Sequence, residues 1–352
     1  MSKTVIIYAS FGEGHKKAAL ALAAALGASS YDLLDFSHPL IKKIYTLSYA
    51  FITQRFTHLW KLLFSYAKSR RFSSGVNKIH QRIFASFFKF LQENKPDIII
   101  VTHFFPSNLI AISKEKTKAK LISVVTDLRV HPVWFNHRVD YYFVALNETK
   151  EDLLKLGASL EQVFVGFVPL REGFLKDYSI ESLYKRFYLR LKPSIIFVSS
   201  SRGNFPYFKS SIKGLLKDFN VFVIYGKNKR LKAHLEALDS PHIRFFPFHD
   251  EIWELISASS VIITKPGGLT IFEGLYKKKP FVFTHYIPGQ ERENMDLLVK
   301  HGLARFTKNK DEIIKAIYYF AKKSNELKNN YPIEIKNIRE SLINLIKKLQ
   351  NA

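Results

Sequence analysis

Lys265-Pro266-Gly267-Gly268-Leu269-Thr270 follows the apolar run Val261-Ile262-Ile263, leads into helical spacing, and has an acid, Glu273, on the next turn. A strand that ends in two glycines and opens a helix exposes the backbone N–H groups of the first helical turn, so an anion can sit there with little steric obstruction. Phosphate is the first expectation, against the plainer reading that Gly-Gly only makes a tight corner. Two further turns share the character. Ser10-Phe11-Gly12-Glu13-Gly14-His15 separates the first apolar run from an Ala-rich helical stretch, Lys17–Leu26, and Ser199-Ser200-Ser201-Arg202-Gly203-Asn204 follows the run Ser194–Ser199. Gly12-Glu13-Gly14 lacks the third glycine of a dinucleotide fingerprint, and Lys265 precedes its glycines, so neither a Rossmann cofactor site nor a P-loop is matched. The turns together predict a ligand held in a cleft between two domains.

The elements that must position these turns are legible as apolar runs alternating with helical spacing, the pattern of parallel sheets with crossover helices. The first set of expected strands is Thr4–Ser10, Tyr31–Phe36, Asp97–Phe104, Lys120–Thr126, Tyr141–Ala145 and Val163–Val168. The second is Ser194–Ser199, Val221–Tyr225, Ile243–Phe246, Val261–Thr264 and Pro280–Thr284. An N-terminal unit over 1–170, a polar linker over 171–192, a C-terminal unit over 193–310 and closing helices over 311–352, interrupted by Pro332, account for the 352 residues.

Composition limits the chemistry. With no Cys, thiolate metal sites, disulfides and cysteine nucleophiles are excluded. Thr4-Val5-Ile6-Ile7-Tyr8 begins immediately after Met1-Ser2-Lys3, leaving no room for a signal peptide, and no apolar run approaches the roughly 18 residues that span a bilayer. The net charge of +24 asks for an anionic partner. Between His38 and Lys95 the only acid is Glu93, against eleven Lys and Arg, whereas the rest of the first 170 residues is balanced at eleven of each sign. That segment interleaves its cations with aromatics that include Trp60 and Phe64, as interfacial amphipathic helices do. The other readings are helices whose aromatics simply face the core, or a single-stranded nucleic acid stacked on them.

SFGEGHKKAALAL, then VTDLRVHPVWF with VDYYFVALNETKEDLLKLGASLEQVFVGFVPLREGF, and finally TKPGGLTIFEGL with PGQERENMDLL resemble, in order and spacing, the monogalactosyldiacylglycerol synthases and processive diacylglycerol glucosyltransferases of glycosyltransferase family 28. The resemblance runs from residue 4 to about residue 305. It implies an α/β protein of GT-B fold, two Rossmann-like domains facing across a cleft. The implied activity is inverting, metal-independent transfer of a hexose, glucose or galactose, from a UDP-sugar to diacylglycerol at the cytoplasmic face of the cell membrane, giving a glycolipid. No cofactor, metal or nucleic acid is implied, and a homodimer is left open.

On that resemblance, Gly267, Gly268, Leu269 and Thr270 receive the donor diphosphate together with Gly14, Ser201, Arg202 and Gly203. Glu273 takes the ribose hydroxyls, Phe248 contacts uracil, and Gln290, Glu291 and Asn294 read the sugar. Inverting transfer needs a base near the acceptor hydroxyl and electrostatic support for departing UDP. His15 is the expected base, with Asp127 as partner or rival; the simpler role for Asp127 is to order the Leu128–His131 turn. His131 and Trp134 fall on the acceptor side, and Trp60 and Phe64 on the membrane side. Ser200-Ser201-Arg202-Gly203 is less glycine-rich than expected of the family, and Gly274 stands where a better helix former is common. A polyprenyl-linked cell-wall acceptor, epimerisation of a UDP-sugar, and a non-catalytic binder of nucleotide-sugar or membrane are the competing functions.

Overall fold

A computed structural model describes residues 3–55, 74–165, 167–199 and 208–350. They form two compact units, one of 1–172 with 287–290 and 335–352, the other of 173–286 with 291–334.

The first unit is a six-stranded parallel sheet in the order β2-β1-β3-β4-β5-β6. Its strands are β1 (Thr4–Tyr8), β2 (Ser29–Asp32), β3 (Ile98–Val101), β4 (Lys120–Val124), β5 (Tyr141–Val144) and β6 (Val163–Val165). Ile98-Ile99-Ile100-Val101 shows why the sheet is parallel and central: all four side chains are buried, because helices cover both faces. The expected strand Tyr31–Phe36 is shorter than its apolar run, since Asp32 accepts from Leu34 N and turns Leu33–Phe36 into a 3-10 helix. One face carries helix α1 (Glu13–Leu26) and also the chain's last helix, Arg339–Gln350, whose Leu342 and Leu345 pack with Ile6, Leu22 and Ile100.

The basic segment divides. α2 (Pro39–Arg55), α3 (Ser74–Ile83) and α4 (Ala85–Asn94) lie within its described part, whereas Trp60 and Phe64 fall outside the described residues. Phe84, Phe87, Phe88 and Leu91 are core residues, as the plainer reading has it. On α2, by contrast, Leu40, Ile44 and Leu47 are 60%, 54% and 51% exposed and share one face at helical spacing.

The second unit repeats the architecture in the order β10-β9-β8-β11-β12-β13, again parallel. Its strands are β8 (Ser194–Val198), β9 (Asn220–Ile224), β10 (Ile243–Phe246), β11 (Ser259–Thr264), β12 (Phe281–Phe283) and β13 (Ala304–Phe306), the last not foreseen. The expected linker is corrected: most of 171–192 belongs to the second unit, where Ile180–Arg186 is helical and Arg186 pairs with Glu251 and Glu254. Of the closing helices, Lys310–Asn329 packs on the second sheet, whereas 335–352 returns to the first unit and pairs Lys336-Asn337 with the short strand β7 (Phe167–Val168).

Candidate active site

In each sheet the strand order reverses beside the first strand, and the loops that leave the carboxyl ends at such a point are where ligands bind. In the first unit these are the loops after β1 and β3, which carry His15 and Thr102-His103. His15 lies in the first turn of α1, its Nδ1 2.8 Å from Thr102 O and 3.0 Å from Thr126 Oγ1, while Thr102 Oγ1 donates to His15 O at 2.9 Å. A carbonyl oxygen only accepts, so the Nδ1 contact to Thr102 assigns the proton to Nδ1 and leaves the lone pair on Nε2. Burial pushes the His15 pKa down to about 4, opposed by the Thr102 hydrogen bond. The ring is therefore a neutral base at physiological pH. His103 packs edge-on against it with centroids 4.4 Å apart, accepts from Phe105 N, and is held well below the ordinary histidine range by burial and by His15.

Asp127, at the end of the same strand region as Thr126, is buried and accepts from Gln290 Nε2 at 2.9 Å within the first unit. The turn after Asp127 is ordered by Asp152, which takes Arg129 Nε and Nη2, each at 2.6 Å, and Val130 N at 3.1 Å, while Thr149 Oγ1 donates to Leu128 O. His131 accepts from Val133 N and caps the short 3-10 turn Pro132–Trp134. Trp134 is fully buried in the first core, where the protein itself encloses the ring.

In the second unit β11 delivers the Gly-Gly turn, and α11 (Gly268–Tyr276) starts there with Gly267 as an N-cap that offers no side-chain hydrogen bond. Gly267, Gly268, Leu269 and Thr270 are half-buried, leaving the start of the helix approachable, and Glu273 is buried one turn on. Thr264 Oγ1 donates to Val198 O and ties this strand end to β8. α12 (Gln290–Lys300) contributes the other side. Its Asn294 is buried and donates to Pro266 O at 3.3 Å, so it braces the turn; its Glu291 is ion-paired with Lys265. Phe248 is 50% exposed after β10. Ser201, Arg202 and Gly203 lie outside the described residues. Gly14 is half-buried in the first turn of α1.

Thr102, His103, Thr126 and Asp152 were not singled out from the sequence, and Lys265 was weighed there only as a P-loop lysine. The first three each sit at a strand end beside a residue or turn already of interest, the one signal that could have found them. His249, Glu251 and Glu254 bring potential ligand atoms within 4.8 Å of one another, but Arg186 donates to both carboxylates and supplies the cation there.

Two family descriptions match the chain: monogalactosyldiacylglycerol (MGDG) synthase over residues 15–169, and the glycosyltransferase family 28 C-terminal domain over residues 206–346. The chain belongs to glycosyltransferase family 28 and has the GT-B fold of two Rossmann-like domains. Among curated proteins it is 28% identical over 337 residues to the processive diacylglycerol beta-glucosyltransferase of Bacillus subtilis (strain 168), covering 90% of this chain and 86% of that one. Among solved structures it is similar to Acinetobacter baumannii MurG, with a TM-score of 0.65 at 15% identity over 99% of this chain and 100% of that one. It is also similar to S. aureus MnaA solved with UDP, with a TM-score of 0.61 at 15% identity over 100% and 97%.

Proposed function

We propose that this protein is an inverting glycosyltransferase that moves a hexose from a UDP-sugar to the hydroxyl of diacylglycerol at a membrane surface, making a glycolipid without a catalytic metal. The observation that carries the reading is His15: a half-buried, neutral imidazole whose Nδ1 is committed to Thr102 O, which leaves Nε2 to take a proton. In the proposed step the acceptor hydroxyl gives its proton to Nε2 while its oxygen bonds to the anomeric carbon. The bond from that carbon to the diphosphate oxygen breaks, and UDP departs with the electron pair. The open start of α11 receives the diphosphate, since its unsatisfied amides and helix dipole favour negative charge, with Glu273 for the ribose and Phe248 for the base. Thr102 and Thr126 orient His15 in this scheme, while Asp127 holds Gln290.

Diacylglycerol as acceptor is supported by the Bacillus subtilis relative, which is named for that lipid, and by the exposed Leu40, Ile44 and Leu47 on a helix within the basic segment. Such a stripe has no use in lipid-free epimerisation of a UDP-sugar. The test is to mix purified protein with UDP-glucose or UDP-galactose and anionic vesicles, with and without diacylglycerol, following UDP release and extracted lipids by mass spectrometry. Diacylglycerol-dependent release with a hexosyl-lipid product is expected. Release that ignores diacylglycerol, or a folded protein that binds UDP yet makes no product from either sugar, would sink the assignment.

A further inference from the structure

Lys265 sits in an unfavourable place for a cation. Its Nζ lies 3.5 Å from the point a Cβ on Gly267 would occupy, beside the positive end of α11. A lysine there opposes both the helix dipole and the unsatisfied amides of the first turn. Glu291 neutralises it: the two are ion-paired, 23% and 13% exposed, and the Glu291 carboxylate approaches the same Gly267 position at 4.0 Å. A side-chain carboxylate thus occupies ground where the dipole, the amides and a cation converge, which is the charge arrangement an anion requires.

We infer that Lys265 is a donor-binding residue: it exchanges Glu291 for the diphosphate of the nucleotide and carries part of the charge that develops as UDP departs. This rests on the proposed function above, in which the start of α11 receives that diphosphate. The exchange is favoured because a diphosphate brings more charge than one carboxylate and offers acceptor oxygens to a helix start whose N-cap, Gly267, has no side chain to cap it. Three further groups around the pair define its setting. Pro266 fixes the backbone directly after Lys265, and Asn294 holds the Pro266 carbonyl. His285, in the loop after β12, has its pKa lowered by burial, with Glu291 raising and Lys265 lowering it, so it remains neutral and leaves Lys265 to supply the positive charge.

The alternative role is a strut that joins the end of β11 to the start of α12, and it is separable because a strut is lost equally from either side. UDP binding to the full-length protein is measured by titration calorimetry for wild type, Lys265→Met, Lys265→Arg and Glu291→Gln, each checked for an intact melting transition. UDP carries no hexose, so sugar recognition does not enter. Lys265→Met is expected to weaken UDP at least tenfold, Lys265→Arg to restore affinity to within about threefold, and Glu291→Gln to bind as tightly as wild type or tighter because it removes the competing anion. Unchanged affinity in Lys265→Met, or equal losses in Lys265→Met and Glu291→Gln, would overturn the inference while leaving the proposed function standing. Wild type that binds no UDP would overturn both.

Discussion

At the scale of single residues, reactivity here is set by what surrounds an ordinary side chain. Burial favours the uncharged imidazole of His15, and the Thr102 carbonyl chooses its tautomer, so a base is available without a neighbouring carboxylate in hydrogen-bond contact. The sign of the pH dependence follows. A histidine whose pKa is lowered stays in its basic form above about 4, so kcat/KM should hold as pH falls from 7 to 5 and decline only near that value. A rate profile with an acid limb near the ordinary histidine pKa would show that the ring is solvated during turnover. Removing the ring in His15→Ala should lower kcat by about 10²–10⁴-fold, the usual contribution of a positioned base, with UDP affinity retained. His15 was readable from its glycine-rich turn; Thr102 and Thr126, 87 and 111 residues distant in sequence, were not, because only the sheet brings three strand ends together.

At the scale of elements, α11 shows how helix propensity can mislead. Gly274 costs roughly 1 kcal/mol of helix stability relative to Ala, and from sequence it reads as a weakness in the helix that carries Glu273. The structure reverses that reading. A Cβ at Gly274 would meet Phe281 Cζ at 2.4 Å and Ile262 Cδ1 at 2.7 Å, both anchored in neighbouring strands. The missing side chain is what lets α11 approach the sheet. Gly274→Ala should therefore destabilise by about 1–3 kcal/mol, as overpacking does, instead of stabilising. A denaturant midpoint that rises in this variant would refute the close-approach explanation.

At the scale of the whole molecule, the excess positive charge makes the proposed contact with an anionic surface testable. The net charge of +24 includes a segment whose described helices bury Phe84, Phe87 and Phe88 yet present Leu40, Ile44 and Leu47 outward with the exposed Lys43. Among the described residues no helix is long and apolar enough to cross a membrane. Co-sedimentation with anionic vesicles should be strong at about 0.1 M salt, fall several-fold at about 0.5 M as the charges are screened, and be weak on neutral vesicles. Leu40→Asp with Ile44→Asp should reduce vesicle binding further while leaving UDP affinity unchanged. Equal sedimentation of this variant and wild type would remove α2 from the membrane contact.

The sequence by itself determined the two doubly wound units, nearly every strand, and the turns that deserve chemistry, because strand burial and glycine turns are local properties written in runs of a few residues. It misplaced what depends on distant partners. The polar stretch 171–192 reads as a linker until Arg186 meets Glu251 and Glu254, and the last helix gives no sign that it returns to the first unit. Trp134 is as plausible on a surface as in a core until the packing encloses it. Only the tertiary structure decided that Thr102 fixes the proton on His15 and that Lys265 meets Glu291 beside Gly267. Those contacts arise where parallel strands end side by side, and which strands become neighbours is settled by the packing of whole sheets, not by any local run of residues.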